Sequence, residues 1–231
     1  MELNDTVLLE RWTRFRDSDA FMELVVRHSA MVYATCLRIL GNSADAEDVT
    51  QECFLELARA QGRIKKTHAG WLHAVAAKRA ALRIRSETRR RARERVYAAN
   101  QSTQQEPKWE DVAAEVDASI AKLPEALRAA IVLRFLEGLT YEETGRRLGI
   151  PASTAQSRIE KGLEHLRRLL TKRGIASSSS VLAGLLLTHT ARGAQVPPGL
   201  TDSLGKMALA KGAPATVGAG ILATGGLLVM K

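Results

Sequence analysis

The chain has only two cysteines, Cys36 and Cys53, and they do not stand in CxxC spacing. A thiolate metal cluster or a disulfide framework has too little to be built from. Each cysteine falls on the apolar face of a predicted helix, where a buried thiol packs as a small hydrophobe. The five histidines are scattered, with no HExxH pair and no partners spaced for a catalytic triad, and no Gly-rich Walker loop is present. No catalytic, metal or cofactor constellation emerges, so the chain does not read as an enzyme. Strand-like alternation is missing too, which leaves helical periodicity and an all-α fold. The start, MELNDTVLLERW, carries acidic residues and no apolar core, so it does not read as a secretory signal and the helical units are expected in the cytoplasm.

Acidic charge is the other shortage. Lys and Arg number 34 against 25 Asp and Glu, a formal net charge of +9 over 231 residues, with pI ≈ 9.9. That balance implies a polyanionic partner or an anionic membrane surface. The excess is concentrated: Lys78, Arg79, Arg83, Arg85, Arg89, Arg90, Arg91, Arg93 and Arg95 stand against only Glu87 and Glu94. Phosphate contacts by such a segment are salt-dependent, because each neutralised phosphate releases counterions. A run of Arg at a helix end is also read as a solvated face or a localisation signal.

Residues 139–170, LTYEETGRRLGIPASTAQSRIEKGLEHLRRLL, spell two helices around a tight turn. Thr140 and Glu143 stand at capping-box spacing and start the first helix near Tyr141. Gly149 supplies a left-handed C-terminal residue, and Pro151, which lacks an N–H, forces the chain to turn. Ser153 and Gln156 repeat the capping-box spacing and are expected to open the second helix. From Ala155 the apolar positions Ile159, Leu163, Leu166 and Leu170 keep a helical period. The opposite face carries Thr154, Gln156, Ser157, Glu160 and Lys161, with Arg158 and Arg167 on its flanks. In a helix-turn-helix the second helix enters the major groove, where such side chains meet base edges. The bland alternative is a surface hairpin with a solvated polar face, and two capping boxes around a Gly-Ile-Pro turn weigh against it. A basic protein reading operator DNA as a stand-alone regulator is the alternative from another class.

Along the rest of the chain, a helix over 6–16 is followed by one after Ser18 that turns Phe21, Leu24, Val25, Val32, Cys36 and Ile39 inward and ends at Gly41. A third, after Ser43, buries Val49, Cys53 and Leu57. Its other face is an acidic ridge of Asp45, Asp48, Gln51, Glu52 and Glu56, which would repel phosphate and is either a docking face or a solubilising surface. A polar loop over 62–70 leads to a helix opening at Trp71 and Leu72. The Gln-rich stretch 97–108 suits a flexible linker. A helix over 110–122 then precedes LPEALRAAIVLRFLEG, whose Leu127, Ile131, Leu133 and Leu136 are expected to give the DNA reader its own small core. The expected organisation is two small helical domains, 1–96 and 110–173, joined by a linker over 97–109 and followed by an extension over 174–231.

That extension begins with a Ser-only linker over 177–180 and is broken by Pro197 and Pro198. It ends in ATVGAGILATGGLLVM over 215–230, uncharged and a little short of the roughly 20 residues needed to cross a bilayer. Three readings stay open: a membrane-associating tail, a helix packed on the domains or on an inhibitor, and a disordered tail.

AEDVTQECFLELA, GWLHAVAAKRAALRIRSETRR and LPEALRAAIVLRFLEGLTYEETGRRLGIPASTAQSRIEKGLEHLRRLL together resemble regions 2 and 4 of bacterial RNA polymerase sigma factors of the extracytoplasmic-function group. The resemblance covers residues 18–170, including the order of the two units. It implies core RNA polymerase and promoter DNA as partners, with room for an anti-sigma factor, and no cofactor. It implies that Asp48, Gln51 and Glu52 dock on core polymerase. Capture of the melted minus-ten strand falls on the loop with Arg63, Lys65, Lys66 and His68, and on Trp71, Lys78, Arg79 and Arg83. Duplex minus-thirty-five recognition falls on Ser153, Thr154, Gln156, Ser157, Arg158, Glu160 and Lys161. The chain departs from the family at Lys78 and Leu82, where Asn and Asp are common, and at Gln156, where Lys or Arg is frequent.

Overall fold

The computed structural model describes residues 4–60, 64, 68–94, 109–175, 179–188 and 196–212, and every regular element among them is helical. The first three helices start where short polar side chains satisfy free amides. Asn4 accepts from the Thr6 N–H before α1 (Asp5–Phe15), Asp17 from Ala20 before α2 (Ser18–Leu40), and Asn42 from Ala44 and Asp45 before α3 (Ser43–Arg59). Phe21, Leu24, Val25, Val32 and Cys36 are buried as the periodicity predicts, whereas Ile39 is only half-buried near the end of α2. Trp12 ties α1 to the far end of α3, its Nε1 donating to the Ala58 carbonyl at 3.1 Å. Cys36 and Cys53 are buried free thiols.

Helix α4 (His68–Glu94) opens three residues before the expected Trp71. After it come α5 (Trp109–Ile120), α6 (Glu125–Ile131), a π-helical turn (Val132–Leu136), α7 (Tyr141–Leu148) and α8 (Ala152–Thr171). In the π turn the Glu137 N–H reaches the Val132 carbonyl at 3.0 Å, a widening that periodicity does not announce. Ile131 is buried and Leu127 partly buried where α6 packs on α8, whereas Leu133 and Leu136 are buried in the π turn, which packs on α4, α7 and α9.

The expectation of a separate core for the DNA reader needs correction. Residues from α1 through α8 join one continuous buried cluster. At Gly70 a Cβ would stand 3.1 Å from the Ala129 Cα, so the backbones of α4 and α6 approach too closely for a larger residue to fit without movement. Small helical units bury a limited fraction of their apolar surface alone, and sharing a core removes more of it from water.

The extension contributes α9 (Ser179–Thr188) and α10 (Pro198–Gly212). Ser179 and Ser180, expected in a linker, open α9 instead. Leu182 and Leu186, then Leu200 and Leu204, lie four residues apart and are at most 5% exposed. Helix α9 packs on α8 and the π turn, and α10 on α2 and α3. Among the described residues no helix is long and apolar enough to cross a membrane. The 215–230 stretch and the 97–108 linker lie outside the described residues.

Candidate nucleic-acid interface

Helix α7 starts on a complete capping box: the Thr140 N–H donates to Glu143 Oε2 at 2.7 Å and the Glu143 N–H to Thr140 Oγ1 at 3.1 Å. It ends at Gly149, whose φ of 66° is the left-handed conformation expected there. At Gly145 a Cβ would lie 2.8 Å from the Ile150 carbonyl oxygen, so this small residue lets the turn fold back tightly. The second capping box does not form. Pro151 caps α8 with φ −57° and ψ 148°, and the helix begins at once with Ala152, so Ser153 already lies within the first turn. Gln156 donates instead to Glu160 Oε1 at 3.0 Å.

Ala155, Ile159, Leu163, Leu166 and Leu170 hold α8 to the core. Ser153, Gln156, Glu160 and Lys161 are exposed, with Ser157 half-buried between them, and their spacing of three and four puts all five on one face. Thr154 and Arg158 are half-buried beside that face. Arg167 is turned to Glu164 at 2.9 Å.

Among the residues assigned to strand capture, Arg63, Lys65 and Lys66 lie outside the described residues. His68 is buried, and burial pushes its pKa down to about 4. Its Nε2 has no hydrogen-bond partner, and with Thr6, Leu9, Glu10, Thr13, Arg14 and Ile64 it lines a cavity of about 270 Å³ between α1 and the start of α4. Trp71 is partly buried against the core. Lys78 is exposed, and so are Leu82 and Arg85, which follow it at i+4 and i+7 along the same edge.

Arg79 and Arg83 face the acidic ridge. Arg79 Nη1 lies 2.5 Å from Glu52 Oε2 and its Nη2 2.6 Å from Glu56 Oε2. Arg83 Nη2 lies 2.6 Å from Asp45 Oδ1 and 3.5 Å from Asp48 Oδ2. Residues assigned to opposite partners thus pair with each other across α3 and α4. These pairs are partly exposed, and exposed pairs contribute about 0–1 kcal/mol, so a docking partner can replace them at little cost.

Two further polar clusters, with no signal in the sequence, link the N-terminal helices to α5 and α7. The His28 ring is fully enclosed, with Nδ1 2.7 Å from Glu137 Oε1 and Nε2 3.0 Å from Asp5 Oδ2. Arg27 and Arg147 reach Asp5 Oδ1 at 2.9 and 3.3 Å. Burial alone would lower the His28 pKa, but the Glu137 charge and the hydrogen bonds to Asp5 and Glu137 outweigh it and raise it to about 10. In the second cluster Arg38 grips Asp117 at 2.8 and 3.0 Å while His73 Nε2 lies 3.0 Å from Asp117 Oδ1. Burial pushes the Asp117 pKa up, but Arg38 and His73 overcome this and hold it below the usual carboxylate value.

A capped helix-turn-helix with basic flanks, in a chain whose described regular elements are all helices, defines a DNA-binding transcription protein. Residues 24–90 match the family model Sigma-70 region 2, and residues 113–166 match Sigma-70, region 4. SigE of Mycolicibacterium smegmatis, an ECF RNA polymerase sigma factor, is 37% identical over 68% of this chain and 64% of its own length. The chain therefore spans a little under two thirds of SigE. SigW of Bacillus subtilis, also an ECF sigma factor, is 30% identical over 67% of this chain and 90% of its own length. CarQ of Myxococcus xanthus, an RNA polymerase sigma factor, is 33% identical over 68% and 94% respectively. The solved structure of CnrH with the cytosolic domain of CnrY aligns at a TM-score of 0.34 and 22% identity over 73% of this chain and 97% of that chain, a likeness too weak to carry an argument. The chain belongs to the sigma-70 family, in its extracytoplasmic-function group. Sigma factors are transcription initiation factors, and membership sets aside the stand-alone regulator.

Proposed function

We propose that the chain binds core RNA polymerase in the cytoplasm and directs initiation at promoters with two separated elements, by binding and positioning without catalysing a step. The observation that carries the reading is the α8 face of Ser153, Gln156, Ser157, Glu160 and Lys161, set by a capped α7 and a glycine turn. In this reading that face, with Thr154 and Arg158, meets the minus-thirty-five duplex. Asp48, Gln51 and Glu52 on α3 meet polymerase. Lys78, Arg79 and Arg83, with Trp71 and the His68 cavity, meet the melted minus-ten strand, where cationic side chains follow the backbone and a flipped base needs a pocket. Arg79 and Arg83 reach that strand only by leaving their carboxylate partners on α3. Residues 1–96 and 110–173 form the two readers. Held together on polymerase, they combine their affinities through effective concentration.

The test is reconstituted transcription with core polymerase and a randomised promoter library. Enrichment of two elements at fixed separation, dependent on this chain, supports the reading. No chain-dependent initiation on any sequence overturns it.

A further inference from the structure

Promoter elements at minus ten and minus thirty-five are about 25 base pairs apart, on the order of 85 Å of straight duplex at about 3.4 Å per pair. The two readers in this structure are packed against each other. Glu137 at the end of the π turn lies 2.7 Å from His28 on α2, and Arg147 on α7 lies 3.3 Å from Asp5 on α1. Asp117 on α5 is bound by Arg38 of α2 and His73 of α4. With α8 packed on the same core, the two readers cannot reach elements so far apart at once. The closed arrangement is a resting form that has to open.

The extension lies across that closure. Leu182 and Leu186 seat α9 on α8 and the π turn, and Leu200 and Leu204 seat α10 on α2 and α3, all four joining the common core. Helix α10 meets α2 in van der Waals contact: at Gly205 a Cβ would stand 3.6 Å from Met22 Cε and Sδ. Between them α9 and α10 thus hold both readers, and α10 rests on α3, which also carries Asp48, Gln51 and Glu52.

We propose that α9 and α10 form an intramolecular clasp that keeps the two readers closed, and that docking of core polymerase on α3 displaces α10 and releases them. The clasp rests on the sigma-factor reading for what it inhibits, but its mechanical part does not. It makes the extension an inhibitor carried in cis.

The test uses the full-length chain carrying Leu200→Asp and Leu204→Asp, compared with the unaltered sequence. Spin labels at exposed Ser43 and Glu142, introduced as S43C and E142C, report the separation of α3 and α7, since Cys36 and Cys53 are buried. Limited proteolysis reports release of the extension. The closed chain should give one short distance, and the double variant a broader, longer distribution with promoter-dependent initiation raised about tenfold, because apparent affinity scales with the competent fraction. An unchanged distance distribution while the extension is released overturns the clasp, and so does opening without any rise in initiation. If neither protein initiates with core polymerase, the sigma-factor reading fails, and the distances still decide whether the clasp exists.

Discussion

His28 and Glu137 stand 109 positions apart in the chain and meet at 2.7 Å inside it, where Nδ1 of the enclosed ring faces Oε1 of the carboxylate. With Asp5 on the other ring nitrogen, the imidazole is held as a cation between two carboxylates. Arg27 and Arg147 neutralise the remaining charge at Asp5. The helix that enters the helix-turn-helix is thereby attached to the first two helices of the chain.

Removing one member of this cluster should be costly. Glu137→Ala leaves a buried imidazolium with one carboxylate, and breaking a buried pair in this way costs about 3–5 kcal/mol. Asp117→Ala strands Arg38 and His73 similarly. Each variant should lower the denaturant midpoint, and Glu137→Ala should also speed amide exchange in α7. Midpoints equal to wild type in both would show that these clusters do not hold the units together.

The cluster also sets a pH dependence. The folded pKa of His28 is raised from 6.5 to about 10, so its contribution is fully present below 6.5 and is lost as pH rises through about 10. The groups around it are Asp5, Glu137, Arg27, Arg147 and the buried His68, whose pKa is lowered by burial. Relative to His28→Gln, wild-type stability should fall steadily between about pH 6.5 and about pH 10. Parallel stability curves for the two proteins would contradict a charged His28.

Polymerase docking is tested on α3. Asp48→Lys with Glu52→Lys should abolish binding to core polymerase while the circular dichroism stays helical, since both side chains are partly exposed and their ties to Arg83 and Arg79 are surface pairs. Undiminished polymerase affinity in the folded double variant would move the docking site elsewhere.

Duplex reading is tested on α8. Replacing Gln156, Ser157, Glu160 and Lys161 together should erase selection of the upstream element. For Arg158→Ala and Lys161→Ala singly, loss of a base contact should relax one position by about 1–3 kcal/mol, whereas loss of a phosphate contact should weaken all promoters and flatten the salt dependence. An unchanged selected sequence in the quadruple variant would refute the assignment.

The sequence by itself determined most helices of the two readers and the local shape of the helix-turn-helix. The Thr140–Glu143 box, the Gly149 turn and the buried stripe from Ala155 to Leu170 depend on contacts within about four residues, and such contacts follow from spacing alone. The second capping box misled because Ser153 and Gln156 satisfy the same spacing, while Pro151 already holds the cap position and the helix begins at Ala152. Only the tertiary structure decided which long-range partners meet. Arg79 and Arg83 read as DNA-facing from their charge, yet they turn to carboxylates 27 and 38 positions away because α3 and α4 pack side by side. The shared core, the His28 and Asp117 clusters and the seating of α9 and α10 arise in the same way. Burial and ion pairing between distant segments depend on how helices pack, and periodicity marks which face is apolar without naming the face it will meet.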